Sequence, residues 1–306
     1  GHGPFSHAFE SSFQISHEDM TVRLILEDTQ THQILSDYDA KFPEEIALII
    51  KQTHPNKVLL ELISSQLDVD RLDYLARDAY FTGAKYGEID VDRIIRTMRV
   101  QDGHLVHKAS SIIAIEDYLM SRYNMYWQVY FHPVGRSFEL IVCKIYERLH
   151  YLKQKGTNFN DIYTALFKII EAKEINIQDY LRLDDHVIYS IILESENHED
   201  AILSDLSSRI LHRRLFKDII NTDTSKKEID SILAELMKNN IDLNYYFIED
   251  SLSQVLYDTR FDMSKAANIK LVYPNGSIEE LKMSSKIINA LADITTKEET
   301  RYYYPK

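Results

Sequence analysis

Turn-forming residues are too scarce in this chain for a fold built from many short strands. Eight glycines and six prolines punctuate 306 residues, and between them apolar side chains recur at helical spacing. The pattern predicts a mainly α fold with small β-hairpins and a helical C-terminal region. His17 to Glu27 reads as a helix capped by Ser16, with Asp19 three residues on. Pro43 suits the first turn of a helix through Ile50, and a further helix covers Lys57 to about Ser65. Asp90 can cap a helix through Met98, and Val100 to Val106 folds back around Asp102-Gly103 as a hairpin. Two long helices follow, Ser110 to Tyr130 and Pro133 to Lys155. Lys155-Gly156-Thr157-Asn158 breaks the periodicity and marks the expected boundary between a first domain, 1–155, and a second, 156–306. Near the end, Ile269 to Tyr273 and Ile278 to Lys282 flank a Pro-Asn-Gly turn, and the tail Arg301 to Pro305 is expected to add an edge strand.

With 44% hydrophobic and 27% charged residues the chain can bury one large core or two smaller ones. Its net charge of −13, from 48 acidic and 35 basic residues, repels nucleic acid and anionic membranes as a whole. Cys143 is the one cysteine, which excludes an internal disulfide and a cysteine-based zinc site and suits a reducing compartment. No apolar stretch is long enough to span a bilayer, and the cytoplasm is the expected location.

Two segments carry chemistry. Gln66 to Asp78 (QLDVDRLDYLARD) holds four aspartates, two arginines and a tyrosine in thirteen residues. Asp70, Asp73, Arg77 and Arg71, Tyr74, Asp78 fall at i, i+3, i+7, so one helical surface offers carboxylates, a guanidinium and a phenol while Leu67, Leu72 and Leu75 face elsewhere. This helix should end near Gly83. The opening Gly1-His2-Gly3-Pro4-Phe5-Ser6-His7-Ala8-Phe9-Glu10 sets two imidazoles and a carboxylate around a Gly-Pro turn.

Together these segments resemble the HD-superfamily phosphohydrolases, in their deoxynucleoside triphosphate triphosphohydrolase branch. That family carries HDxGHGPFSHxF and, later, a xDVDxxDYxxRD helix; Arg122, Tyr130 and His132 match its RxxxxxxxYxH segment. The resemblance covers roughly the first half of the chain and implies an HD-domain helical core. It makes Asp70 a ligand of a divalent metal (Mg, Mn, Fe or Zn). It also makes His2, His7 and His17 catalytic imidazoles, with Glu10 as the acidic partner of one of them. By the same resemblance Arg71 and Arg122 contact phosphate, Tyr74 and Asp78 meet the deoxyribose, and Tyr126 and Tyr130 line the pocket. Arg213 and Lys217, one turn apart on a presumed helix, resemble the strip through which the family's oligomers bind an activating nucleotide, with Arg93 and Lys108 contributing. A homotetramer follows from the resemblance alone.

The family's His-Asp dyad would be separated from Gly1 by a single residue, so the chain is expected to be a fragment, inactive alone, of a longer enzyme. Its expected reaction converts a deoxynucleoside triphosphate to deoxynucleoside and inorganic triphosphate. Two alternatives stand beside it: another HD phosphohydrolase, such as a nucleotidase or alarmone hydrolase, and a non-catalytic nucleotide-sensing module.

Overall fold

A computed structural model describes residues 1–5, 7–27, 29–172, 174–254, 268–292 and 297–306. The fold is mainly α, as expected, with seven short strands among the described residues: β1 Met98–Gln101, β2 His104–Lys108, β3 Lys217–Ile220, β4 Ile248–Gln254, β5 Lys270–Val272, β6 Ile278–Glu280 and β7 Lys297–Tyr304. No helix among the described residues is long and apolar enough to cross a membrane. Two compact units divide the chain, Gly1–Glu44 with Pro133–Ser251 and Glu299–Lys306, and Glu45–His132 with Leu252–Glu298. The expected boundary at 155–158 falls inside the first of these.

The first unit is organised by the helix Pro133–Gln154, whose Ile141, Val142, Ile145, Tyr146 and Leu149 are buried completely or nearly so. Their i, i+1, i+4, i+5, i+8 spacing makes one apolar stripe. Onto it pack the helix His7–Phe13, through Ala8 and Phe9, and the helix Ala201–Leu211, which in turn meets Asp185–Ser195. Each such aliphatic side chain removed from water contributes about 1.5–3 kcal/mol before entropy is counted. Cys143 is half-buried, with its Sγ 3.7 Å from the Ala8 carbonyl, and burial pushes its thiol up.

The C-terminal tail corrects an expectation. It is the central strand of a three-stranded sheet ordered β3-β7-β4, with Lys217 opposite Tyr304 and Ile220 opposite Arg301. Arg301 and Tyr303 are buried and alternate with partly exposed Tyr302 and Tyr304, so the tail reads as an edge only while its partners go unseen. Neither β3 nor β4 has turn signals that announce it.

In the second unit β1 and β2 form the expected hairpin, with Asp102 and Gly103 both at positive φ, 53° and 75°. That pairing of left-handed residues matches the right-handed twist of the strands and explains the Asp-Gly dipeptide. β2 continues in parallel with β5, and β5 turns into β6 through the second expected hairpin. The acidic helix runs Val69–Thr82 and ends at Gly83. The long helix expected to Tyr130 is α-helical over Ile112–Met125, then widens into a π turn at Tyr126–Tyr130, where the Phe131 amide reaches the Tyr126 carbonyl at 2.7 Å. Such widened turns are unusual and concentrate at functional sites.

Candidate active-site clusters

In the first unit the opening segment is pinned before any helix begins. Tyr180 donates its hydroxyl to the Gly1 carbonyl at 2.7 Å, and Tyr146 donates to the Pro4 carbonyl at 3.3 Å. The Phe5 amide donates to Asp185 Oδ1 at 2.6 Å. Gly3 permits this path, because a Cβ there would stand 2.6 Å from the Phe9 ring, inside van der Waals contact. His7 and His17 each open a helix, His7–Phe13 and His17–Leu26, the second capped by Ser16 accepting from the Asp19 amide as expected.

The three imidazoles meet. His2 and His17 stack at 4.2 Å with 12° between their planes, and His7 stands edge-on to both at 5.6 Å. Glu10 Oε2 accepts from His17 Nδ1 at 2.8 Å and from His7 Nδ1 at 3.2 Å. Burial acts to raise the Glu10 carboxyl, but the hydrogen bonds from His17 and then His7 outweigh it and hold it below its ordinary value. Burial first, then the neighbouring His17 and His7, lower the His2 imidazole.

In the second unit the acidic helix is set by a residue that sequence reasoning passed over. Buried Asp68 caps the helix by accepting from the Arg71 amide at 2.7 Å, takes the Ser65 amide at 3.0 Å, and pairs with the Arg71 guanidinium. Arg71 also donates to the Ser65 carbonyl. Burial, ahead of the opposing charge of Arg71, raises the Asp68 carboxyl. The preceding Gln66 carbonyl accepts from Tyr118 Oη at 2.9 Å and from Arg122 Nη1 at 3.0 Å. Arg122 is 6% exposed, and at least one of its N–H groups is spent on backbone. Burial pushes the Tyr118 phenol up to about 12. A signal for Asp68 was present, since Asp three residues before Arg at the start of an apolar period is an N-cap pattern; nothing local signals Tyr118.

Downstream on the same helix, Asp78 Oδ2 accepts from Tyr130 Oη at 2.7 Å. The Tyr130 ring lies 6.1 Å from Tyr74 and 5.1 Å from Tyr126, so Tyr74, Tyr126, Tyr130 and Asp78 form one aromatic wall with a carboxylate in it. Burial raises the Tyr74 phenol, helped by Tyr126, and raises that of Tyr130, helped by Asp78. Asp70 is exposed in the first turn of the helix.

The residues expected to bind an activating nucleotide need one correction. Arg213 and Lys217 do not share a helical face: the helix stops at Leu211, Arg213 takes a left-handed backbone at φ 52°, and Lys217 begins β3. The Arg214 amide bonds to the Arg209 carbonyl at 2.9 Å and that of Arg213 to Ile210 at 3.3 Å, which is the Schellman closure of a helix end. Lys217 lines a cavity of about 630 Å³ with Asp205, Arg209, Tyr246 and Lys306. In the other unit, exposed Arg93 donates to the Ser110 carbonyl at 2.9 Å, and Lys108 is exposed at the end of β2.

Comparison with known proteins adds independent findings. Residues 89–164 match the family described as HD associated region. The uncharacterized protein YwfO of Bacillus subtilis is 42% identical over all of this chain and 71% of its own length. The deoxynucleoside triphosphate triphosphohydrolase SAMHD1 homolog of Dictyostelium discoideum is 25% identical over 88% of this chain, which spans 55% of that protein. Among solved structures, a phosphohydrolase from Bacteroides thetaiotaomicron superimposes over the whole chain and 76% of its own with a TM-score of 0.83 and 28% identity.

Proposed function

The chain belongs to the HD superfamily of phosphohydrolases, on its deoxynucleoside-triphosphatase-like side, and on that premise we propose that the protein hydrolyses deoxynucleoside triphosphates to the deoxynucleoside and inorganic triphosphate. The observation that carries the proposal is Glu10 holding two imidazoles beside a third. In this reaction water adds at the α-phosphorus, the bond from phosphorus to the 5′-oxygen breaks, and that oxygen must take a proton as it leaves. A histidine whose Nδ1–H is held by a carboxylate is oriented for that transfer. His7 and His17 are so held, and His2, whose imidazole is lowered by burial and by its neighbours, suits a base or a hydrogen-bond partner to the water.

Tyr74, Tyr126 and Tyr130 supply an aromatic wall for the sugar, and Asp78 an acceptor for its 3′-hydroxyl. The Tyr130–Asp78 bond fixes the carboxylate against the wall, and on this reading deoxyribose is selected by steric exclusion of a 2′-hydroxyl. Arg71 and Arg122 act here by shaping the Ser65–Asp68 turn, and Arg71, the less buried of the two, contacts phosphate.

HD-domain phosphohydrolases bind divalent metals, and a bound cation supplies an activated water and positive charge at the phosphate. Asp70 is the carboxylate of this chain for that purpose. A single exposed carboxylate falls short of the three or more ligands such an ion needs.

The test is product analysis. The full-length protein is incubated with each deoxynucleoside triphosphate and the phosphorus products are separated by anion exchange. Inorganic triphosphate with free deoxynucleoside is the expected result; orthophosphate or pyrophosphate as the main product overturns the proposal in favour of another phosphohydrolase chemistry.

A further inference from the structure

The imidazole cluster has a second use that proton transfer does not require. We propose that His2, His7 and His17 form a binding site for a borderline divalent transition metal such as Zn²⁺, with Glu10 as its outer carboxylate, and that occupation of this site blocks the enzyme. The ligands differ wholly from the carboxylate that the family resemblance assigns to a metal, Asp70.

Three observations converge. The ligating nitrogens of the three rings lie within 4.8 Å of one another, and they are the one group of three or more histidine, cysteine or acidic side chains that close among the described residues. Tetrahedral ligation at Zn–N distances of about 2.0–2.1 Å needs nitrogens about 3.3 Å apart. The rings of His2 and His7 are exposed, so side-chain rotation can close the remainder. Second, Glu10 takes the Nδ1–H of both His7 and His17, which leaves the lone pair of each neutral ring on Nε2. This is the carboxylate–histidine relation that orients metal-bound imidazoles and raises their basicity. Third, the backbone is preset: His7 and His17 are fixed on helix starts, and Tyr180 and Tyr146 hold the carbonyls on either side of His2.

Three histidines leave a fourth position open to water or an anion. The inhibitory part of the inference rests on the proposed reaction, because a metal on the Nε2 lone pairs removes the groups that carry the proton. The binding part does not.

The experiment uses the full chain stripped of metal by chelation and titrated with Zn²⁺ against a chromophoric chelator. One Zn²⁺ per chain is expected. His7→Gln, chosen to keep the volume of the side chain, should weaken binding at least tenfold, and Glu10→Gln by 10–100-fold. Asp70→Ala should bind as the wild type does, and so should His186→Ala, which removes a fully exposed imidazole elsewhere. Titration with Co²⁺ should give a visible ligand-field band that His17→Gln abolishes, while circular dichroism establishes that each variant is folded. Binding unaffected by His7→Gln and Glu10→Gln, or binding lost with Asp70→Ala, overturns the site. Triphosphate release by a protein that binds no Zn²⁺ at this cluster sinks this inference and leaves the proposed reaction intact; Zn²⁺ held here by a protein that releases no triphosphate does the reverse for the binding part.

Discussion

The imidazole cluster and the acidic helix reach functional geometry by opposite routes. The cluster is assembled within seventeen residues, its three rings exposed or half-buried and two of them tied by one carboxylate. The acidic helix presents its Tyr74–Asp78 face over a clamp in which Arg71, Tyr118 and Arg122 hold two consecutive carbonyls, those of Ser65 and Gln66, while buried Asp68 accepts from the Ser65 amide and pairs with Arg71. The first arrangement leaves its rings within reach of solvent. The second takes charges out of water and makes them structural. Substitutions should therefore separate cleanly: loss of turnover with stability kept in one region, loss of stability in the other.

The sharpest contrast comes from His7. Replacing it by alanine removes an exposed ring from the cluster, and turnover should fall by about 10²–10⁴-fold, the range for a lost general acid or base, while the thermal midpoint stays within about 1 °C of wild type. A large fall in the midpoint would break the comparison.

Asp68→Ala comes next, on the other side. It strips a cap and leaves the Arg71 guanidinium without its buried partner, at a cost of about 3 kcal/mol. Thermal unfolding should move down by about 6–12 °C for a unit of this size; an unchanged midpoint would mean the clamp contributes nothing.

A smaller effect follows from His107, buried on β2 with its Nδ1 unpaired, whose imidazole burial lowers to about 4. The folded state holds this ring neutral while the unfolded chain takes up a proton below its ordinary value of about 6.5. Stability on this account is full above that value and declines as pH falls towards the folded value. The loss is about 2 kcal/mol at pH 5. Urea unfolding at pH 7 and pH 5 should show that decline in the wild type and a flatter one in His107→Leu, and equal slopes would refute it. Least of all should follow from Arg77→Ala, which breaks an exposed i, i+4 pair with Asp73 and should shift stability by under about 0.5 kcal/mol in the same assay.

Local chemistry was legible in the sequence wherever its cause was local. Ser16 and Asp90 as caps, the Asp102-Gly103 turn and the helix ending at Gly83 all depend on residues a turn or two apart. What stayed hidden was set by distant partners. Tyr118 reaches Gln66 across 52 positions, and the tail becomes a central strand because β3 and β4 close on it from far along the chain. The Arg213 turn failed for another reason: a basic run at helical spacing resembles a helix face, yet a left-handed residue without glycine ended the helix there. The π turn at Tyr126–Tyr130 likewise leaves the i, i+4 aromatic spacing unchanged, so the pattern alone cannot distinguish it from α-helix.

On the proposed reaction the imidazoles carry the proton transfer while the aromatic wall selects the sugar. Steady-state kinetics on one deoxynucleoside triphosphate and its ribose counterpart tests it most directly, with Glu10→Gln and Tyr74→Ala compared side by side. The account predicts that Glu10→Gln lowers kcat and leaves the deoxyribose-to-ribose ratio of kcat/KM in place, whereas Tyr74→Ala lowers that ratio at least tenfold. A ratio that collapses with Glu10→Gln, or survives Tyr74→Ala, contradicts it.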